Sequence, residues 1–169
     1  MRSPPVRPLL TAALGAWLAA CDPGAAARVQ APADSAAGEV AFELAGPGGA
    51  ALIVPVYLNG EGPFDFVLDT GATYTCVDQA LAARLGLRER RGQIAVGAGV
   101  GGAGRVRLVA VDSMRVGAAS ASGLTACVID LQALRSIGSG AQGLVGLNFL
   151  KSFRVTLDFQ RNVVALRVP

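Results

Sequence analysis

The sequence contains no histidine, and this absence removes several kinds of catalytic site at once. Ser-His-Asp and Cys-His catalysis both need an imidazole, and so do histidine-ligated metal centres. The three cysteines, Cys21, Cys76 and Cys127, stand far apart without a C-x-x-C pair, which argues against a zinc cluster. We therefore expect a site that works without metal or cofactor.

The chain also lacks a strong charge imbalance once its first residues are set aside. The net charge is +3, from 15 Lys/Arg and 12 Asp/Glu, but Arg2 and Arg7 lie in a leader that contains no acid. Without these two arginines the balance is +1, so the composition gives no reason to expect a nucleic-acid partner. A length of 169 residues with 52% hydrophobic content predicts one domain with its own core.

The leader ends at a cysteine. Residues 9–20 are apolar but too few to span a bilayer, and with the arginines before them they are typical of a secretory signal. The ending Leu18-Ala19-Ala20-Cys21 resembles a bacterial lipobox, in which the cysteine receives diacylglycerol. The alternative is an ordinary signal peptide with an incidental cysteine. The lipobox interpretation predicts an exported protein, anchored to the periplasmic side of a bacterial membrane through Cys21.

The rest of the chain divides into a short linker and a β-rich domain. Residues 22–38 are mostly Ala, Pro, Gly and Ser, which predicts a flexible tether. Residues 39–169 contain many short apolar runs separated by glycine turns, which favours an all-β domain. Strands are predicted at residues 40–44, 51–58, 64–68, 93–96, 106–111, 113–116, 124–129, 155–159 and 163–168, a hairpin turn at 59–62, and helices at 77–87 and 147–153.

The most informative stretch is Asp69-Thr70-Gly71-Ala72, which follows the apolar strand at residues 64–68. It places a carboxylate on a tight turn at the end of a strand predicted to be buried. Burying an unpaired charge costs free energy, so a carboxylate at this position needs an explanation. Hydrolytic catalysis is one explanation. A turn residue that caps its own backbone is the plainer alternative.

The order of the segments resembles the retropepsin-like (clan AA) aspartic proteases, including their bacterial members. The resemblance rests on the strand leading into Asp69-Thr70-Gly71-Ala72, a helical segment, a glycine-rich hairpin and the later stretch at residues 143–150, Gly-Leu-Val-Gly-Leu-Asn-Phe-Leu. It covers about residues 39–169. It implies the all-β acid-protease fold, a closed barrel-like domain with a short helix and a flap hairpin, and aspartic-type endopeptidase activity on peptide or protein substrates.

In such enzymes two aspartates from equivalent loops share one proton, and together they activate a water and polarise the substrate carbonyl. Only one Asp-Thr-Gly or Asp-Ser-Gly occurs in this chain. The resemblance therefore implies a homodimer, with Asp69 and its mate at the two-fold axis. It further implies that Thr70 bridges the two loops, and that Gly71 and Ala72 lie against the substrate backbone.

The glycine-rich segment at residues 97–104 predicts a mobile hairpin, with a disordered loop as the plainer alternative. A phosphate-binding loop is disfavoured because no Lys-Ser/Thr follows it and no helix opens after it. The resemblance implies that this hairpin is a flap closing over an extended peptide. The candidate substrate-binding residues there are Gly97, Ala98, Gly99, Val100 and Gly101.

Two positions depart from the viral members of the family. Those carry an acid after the alanine and an arginine after the later glycine, which pair with each other, whereas this chain has Thr73 and Leu147. Both partners are missing together, so no charge is left unpaired, and we expect a dimer interface that differs from the viral one. Cys76 and Cys127 fit either a disulfide in an oxidising periplasm or two buried thiols.

Two classes of function fit these observations. The first is a membrane-anchored endopeptidase of the cell envelope. The second is a non-catalytic lipoprotein binding module that retains the acid-protease fold. A weaker third is pairing with a different retropepsin-like chain. Strict monomer behaviour would favour the second, because one carboxylate alone cannot form the proton-sharing pair.

Overall fold

The computed structural model describes residues 28–30, 38–99, 102–132 and 140–169, and these ranges are rich in strands. The strands are β1 (Arg28–Gln30), β2 (Glu39–Ala41), β3 (Glu43–Ala45), β4 (Ala51–Leu58), β5 (Glu61–Leu68), β6 (Cys76–Asp78), β7 (Glu89–Gly99), β8 (Gly102–Val116), β9 (Ala119–Ile129), β10 (Gly143–Val145), β11 (Arg154–Asp158) and β12 (Val163–Arg167). Within the described ranges, the short α-helices α1 (Gln79–Arg84) and α2 (Leu147–Leu150) follow β6 and β10. The all-β prediction is confirmed.

Six strands close into a barrel. Their pairing order is β9-β6-β10-β5-β4-β8, and β8 also pairs with β9, which completes the ring. Side chains from the inner faces of these strands fill the interior together with Phe149 of α2, and Phe66, Phe149 and Met114 are among the largest that are fully buried. Closure leaves no free edge within the ring, as barrels require.

The β4–β5 hairpin shows how local sequence determines part of this ring. Asn59 and Gly60 take φ values of 51° and 85°, the positive φ that a tight hairpin turn requires and that Asn-Gly readily supplies. The two strands then pair antiparallel with Val54 opposite Phe66. This turn was predicted from the Asn-Gly pair.

Strand β10 lies between β5 and β6, although β5 and β6 are consecutive in the chain. It runs parallel to β5 and antiparallel to β6. Gly143 makes this close approach possible, because a Cβ there would fall on the Phe66 ring and 2.6 Å from the carbonyl oxygen of Cys76. The loop joining β5 to β6 therefore has to pass around the end of β10.

The helix predicted at residues 77–87 is shorter in the structure. Val77 and Asp78 belong to β6, where Val77 is opposite Val128 on one side and Gly143 on the other. Long-range pairing overrides the helical spacing at these two residues. Helix α1 begins after Asp78, whose side chain accepts a hydrogen bond from the backbone N–H of Ala80, and the chain leaves the helix through Gly86 at φ 58°.

Strands β7 and β8 form the long hairpin predicted around the glycine-rich segment. The pairing continues from Ile94 opposite Arg107 to Gly99 opposite Gly102. The strands thus extend into the glycine-rich segment itself, beyond the strands predicted at residues 93–96 and 106–111. Val100 and Gly101, at the turn, lie outside the described residues.

The two chain-terminal regions of the domain meet in a separate three-stranded sheet, ordered β11-β12-β2. Val164 is opposite Val40 on one side and Leu157 on the other. This sheet joins the start and the end of the folded domain within one chain.

The segment predicted as a flexible tether contains one strand. Residues Arg28–Gln30 form β1, which pairs antiparallel with Ser120–Ser122 of β9. Apart from Gly38, the remaining residues of the predicted tether lie outside the described residues, as do the leader and Cys21. Among those that are described, no helix is long and apolar enough to cross a membrane.

Cys76 and Cys127 form a disulfide. They are directly opposite each other on the parallel strands β6 and β9. The pairing decides between the two alternatives that the sequence left open, and it ties β6, the strand that follows the Asp69 loop, to its neighbour in the barrel.

Candidate active site

Asp69 is the first residue after β5, a strand that buries one face through Phe64 and Phe66 and exposes Asp65 between them, rather than the fully buried strand predicted from the sequence. Its backbone N–H donates to the carbonyl oxygen of Val145 at 3.0 Å, which continues the pairing of β5 with β10 by one residue. Phe66 of the same strand is fully buried. The barrel core thereby fixes the backbone from which the carboxylate projects.

The carboxylate itself is half-buried. Its Oδ1 accepts a hydrogen bond from the backbone N–H of Gly71 at 2.8 Å, while Thr70 and Gly71 are exposed. This is the self-capping turn that an Asp beside a Gly commonly makes. The second oxygen, Oδ2, has no hydrogen-bond partner within the described part of the chain. The turn therefore orients the carboxylate and leaves one of its oxygens available.

Backbone contacts with the start of α2 hold the rest of the loop. The N–H of Leu147 donates to the carbonyl oxygen of Ala72 at 2.8 Å, and the N–H of Asn148 donates to that of Thr73 at 3.1 Å. The two stretches that carry the family resemblance, the one beginning at Asp69 and the one at residues 143–150, are thus hydrogen-bonded directly to each other. Thr73 and Leu147, the positions that depart from the viral pattern, lie beside each other at this junction, and both are exposed.

The Asn148 side chain bridges the loop and β9. Its Oδ1 accepts from the N–H of Thr75 at 2.7 Å, and its Nδ2 donates to the carbonyl oxygen of Thr125 at 2.7 Å. Sequence reasoning assigned no role to this residue. The available signal was a single amide side chain within the apolar run of residues 144–150.

Thr75 is a buried polar residue with a second function in the same network. Its Oγ1 accepts from the N–H of Gly146 at 3.2 Å, and its carbonyl oxygen accepts from the N–H of Cys127 at 2.9 Å. The Thr75 side chain is therefore satisfied by the segment that follows β10. Its burial was not predicted from the sequence.

Three further aspartates, Asp112, Asp130 and Asp158, come later in the chain than the Asp69 loop. Asp112 lies on β8, exposed and 3.6 Å from Arg88. Asp130 and Asp158 make self-capping turns like that of Asp69: Asp130 accepts from the N–H of Gln132, and Asp158 accepts from the N–H groups of Gln160 and Arg161. None of the three is followed by Thr-Gly or Ser-Gly, so one copy of the chain provides one Asp-Thr-Gly carboxylate.

Residues 54–149, more than half of the chain, match the family model described as aspartyl protease. The chain belongs to the aspartyl protease family. The matched range of this aspartyl protease family member contains both the Asp69 loop and the Gly146–Asn148 segment that braces it. No curated protein matches the sequence.

The fold is that of the retropepsin-like members. Among solved structures, the chain is similar to a retropepsin-like aspartic protease from Rickettsia conorii, with 16% identity and a TM-score of 0.50. The similarity covers 83% of this chain and 92% of that one. At this level of identity the likeness is one of fold, and it confirms the predicted retropepsin-like architecture.

Of the candidate substrate-binding residues, Ala72 lies in the Asp69 loop and is half-buried. Gly97, Ala98 and Gly99 end β7, opposite Gly104, Ala103 and Gly102. A substrate-binding role for these residues, like the catalytic roles of Asp69, Thr70 and Gly71, stays a prediction.

Proposed function

We propose that this protein is an aspartic endopeptidase whose active form is a homodimer. The carrying observation is the Asp69 carboxylate, which is oriented by the Gly71 N–H while its second oxygen remains unpartnered among the described residues. Membership of the aspartyl protease family supports this proposal. One copy of the chain supplies one such carboxylate, so a second copy must supply the other.

In the proposed mechanism, the two Asp69 carboxylates of the dimer share one proton because two like charges so close cannot both ionise. The ionised partner takes a proton from a water, and that water attacks the carbonyl carbon of the scissile peptide bond. The protonated partner donates to the carbonyl oxygen, and proton transfer to the leaving nitrogen then completes hydrolysis. The apparent pKa values belong to the pair.

The remaining residues would position the peptide. Thr70, exposed at the tip of the loop, is placed to meet its counterpart in the second copy. Gly71 and Ala72 border the carboxylate, and the β7–β8 hairpin supplies the flap that excludes water from the site. The substrate is an extended peptide segment.

The test is a peptide-library digest by the full chain, purified in nonionic detergent, at neutral and mildly acidic pH. Asp69→Asn should lower the rate by about 10²–10⁴-fold or more, because it removes the acid–base pair. The matched control is Asp65→Asn, the same chemical change at an exposed position on the same strand, which should cleave normally. Hydrolysis retained by Asp69→Asn would refute the assignment.

The same preparation tests the dimer. Analytical ultracentrifugation should show a dimer at the concentrations that support cleavage, with activity falling as the chain dissociates. A strictly monomeric chain without cleavage would instead favour the non-catalytic binding module.

We also propose that the protein acts on the periplasmic side of a bacterial membrane, anchored by lipid on Cys21. The support is the Leu-Ala-Ala-Cys ending of an apolar leader. A labelled fatty acid should be incorporated into the wild-type chain and lost in Cys21→Ser, with the variant released from the membrane fraction. Labelling that persists in Cys21→Ser would contradict the anchor.

A further inference from the structure

The near-neutral domain has an uneven distribution of charge. Residues 84–107 contain six arginines and one glutamate, a formal charge of +5. The rest of the chain from residue 39 onward carries six Lys/Arg and nine Asp/Glu, a formal charge of −3. The positive segment starts at the end of α1 and runs along the β7–β8 hairpin. A concentration of like charge on one part of a surface attracts ligands of the opposite sign.

A cleft of about 240 Å³ opens in this positive region, between α1 and the part of the hairpin farthest from its glycines. We call it the hairpin-base cleft. Its walls combine apolar and polar groups. The apolar ones are Ala82, Ala83 and Leu87 on the helix side and Val109 and Val128 on the sheet side, and the polar ones are Gln79, Glu89 and Arg107. A cleft that combines apolar surface with a few polar groups is a common form of ligand site.

Strand geometry places a second arginine on the same face. Side chains alternate along β8, so Arg105, Arg107 and Val109 share one face, while Leu108 packs on the other against the Cys76–Cys127 pair. Arg105 is exposed and has no ion-pair partner among the residues that the structure describes. It lies two residues closer to the glycine-rich end of the hairpin than Arg107.

Arg107 has a partner that a ligand can replace. Its Nη1 lies 2.8 Å from Glu89 Oε1, but the two side chains are 56% and 55% exposed. Exposed pairs of this kind contribute little, so another carboxylate can compete for the guanidinium. Of the other arginines nearby, Arg84 lies over the Phe64 ring and Arg88 faces Asp112.

We propose that the hairpin-base cleft is an exosite that binds an acidic peptide segment. An apolar side chain of the segment enters between α1 and β8, and flanking carboxylates pair with Arg105 and Arg107. The inference rests on the proposed protease function in taking this segment to be part of a protein substrate. A peptide fits better than an anionic membrane because Arg107 lines a concave cleft of mixed polar and apolar surface rather than a flat face.

The test measures binding without cleavage, on the full chain carrying Asp69→Asn in nonionic detergent. The probe is a fluorescent peptide with leucine between glutamates, and its matched partner has glutamine in place of each glutamate. Fluorescence anisotropy should show at least about tenfold tighter binding of the acidic peptide, weakening as salt is raised. Equal binding of the two peptides would overturn the proposal.

Variants then locate the site. Arg105→Glu with Arg107→Glu should weaken binding of the acidic peptide by about tenfold or more, and Glu89→Gln should strengthen it. Arg154→Glu, the same type of substitution at one exposed position on β11, is the control and should have little effect. Ala83→Phe should also weaken binding by filling the cleft, whereas Ala80→Phe, at an exposed position of α1 that does not line it, should not.

Vesicles containing anionic lipid provide the competing outcome. If such vesicles bind in an Arg105-dependent manner while the acidic peptide does not bind, the cleft proposal is wrong. Because the assay uses Asp69→Asn, its result does not depend on hydrolysis. Peptide binding with no cleavage by the wild-type chain would contradict the protease function and leave the exosite standing.

Discussion

The Asp69 loop and the terminal sheet, formed by β11, β12 and β2, use their polar and apolar groups in opposite ways. The loop is held by buried and half-buried polar groups, with Thr75 fully buried and the half-buried Asn148 side chain making two hydrogen bonds at 2.7 Å. The terminal sheet and its β11–β12 turn expose apolar side chains, with Leu157 38% exposed on β11 and Phe159 54% exposed in the turn. Its ion pair between Arg161 and Glu39 is also on the surface.

The difference indicates that the geometry of the Asp69 loop is more exactly defined than that of the terminal sheet. Buried polar groups that are fully satisfied specify one geometry, because any shift leaves a donor or an acceptor without a partner. The loop therefore has little freedom to move its carboxylate. Exposed apolar groups and surface ion pairs impose no such penalty, so the terminal sheet should tolerate substitutions that the loop does not.

The largest expected effect in this comparison is at Gly146. Its φ of −95° is open to any residue, so the need for glycine is one of space. A Cβ there would fall on the carbonyl group of Tyr74 and 2.6 Å from the backbone nitrogen of Thr75. We expect Gly146→Ala to lower the free energy of unfolding by about 3 kcal/mol or more, measured by urea denaturation.

Gly140→Ala is the matched control, because a Cβ at Gly140 meets nothing within 4 Å. It should leave the midpoint of unfolding nearly unchanged. If the Gly146→Ala chain were as stable as the control, the loop could change its geometry at little cost in free energy. The proposed difference between the loop and the terminal sheet would then be refuted.

The next effect concerns the disulfide that ties β6 to β9. Cys76 and Cys127 are 51 residues apart in sequence, so the cross-link restricts a long loop of the unfolded chain. Cys76→Ala with Cys127→Ala should cost about 2–4 kcal/mol of unfolding free energy. Reduction of the wild-type chain should give a similar loss. No change on reduction would mean that the cross-link adds nothing to the packing around it.

A smaller effect is expected at Asn148. Asn148→Asp keeps the acceptor for the Thr75 N–H but replaces the donor to the Thr125 carbonyl with a second oxygen. We expect a loss of about 1–3 kcal/mol in unfolding free energy, because that buried carbonyl loses its partner. Asn162→Asp, the same change at an exposed turn next to the terminal sheet, is the control. Equal losses in the two variants would remove the proposed difference between the regions.

The sequence predicted the features that depend on local patterns. The Asn59-Gly60 turn, the strand leading to Asp69 and the glycine-rich hairpin each have a signal within a few residues, and each is present. The order of these segments also predicted the family, which the comparisons confirm.

The features that were missed depend on residues far apart in the chain. The sequence predicts Val77 to be part of a helix, but its pairing with Val128 makes it a strand residue. In the sequence, Asn148 is one polar residue in an apolar run. Its role is evident only from its hydrogen bond with the Thr75 N–H, 73 positions away. Strand β1 has no apolar pattern of its own, so it is recognised only from its pairing with β9.

The smallest expected effect is a pH dependence confined to the terminal sheet. A hydrogen bond from the Arg161 guanidinium lowers the pKa of Glu39 below its ordinary value of about 4.5, against a smaller opposing effect of partial burial. A carboxylate with a lowered pKa stabilises the fold above that ordinary value, and the contribution is lost as pH falls through the lowered pKa. Glu39→Gln should therefore reduce the Tm by about one degree near pH 7 and by progressively less as the pH falls through the lowered pKa, since the protonated carboxyl resembles the amide. Glu43→Gln, on the exposed strand β3, is the control and should show no such trend. If the decrease in Tm caused by Glu39→Gln persists or grows in acid, Glu39 acts through packing. The surface ion pair would then require as exact a geometry as the buried contacts of the Asp69 loop.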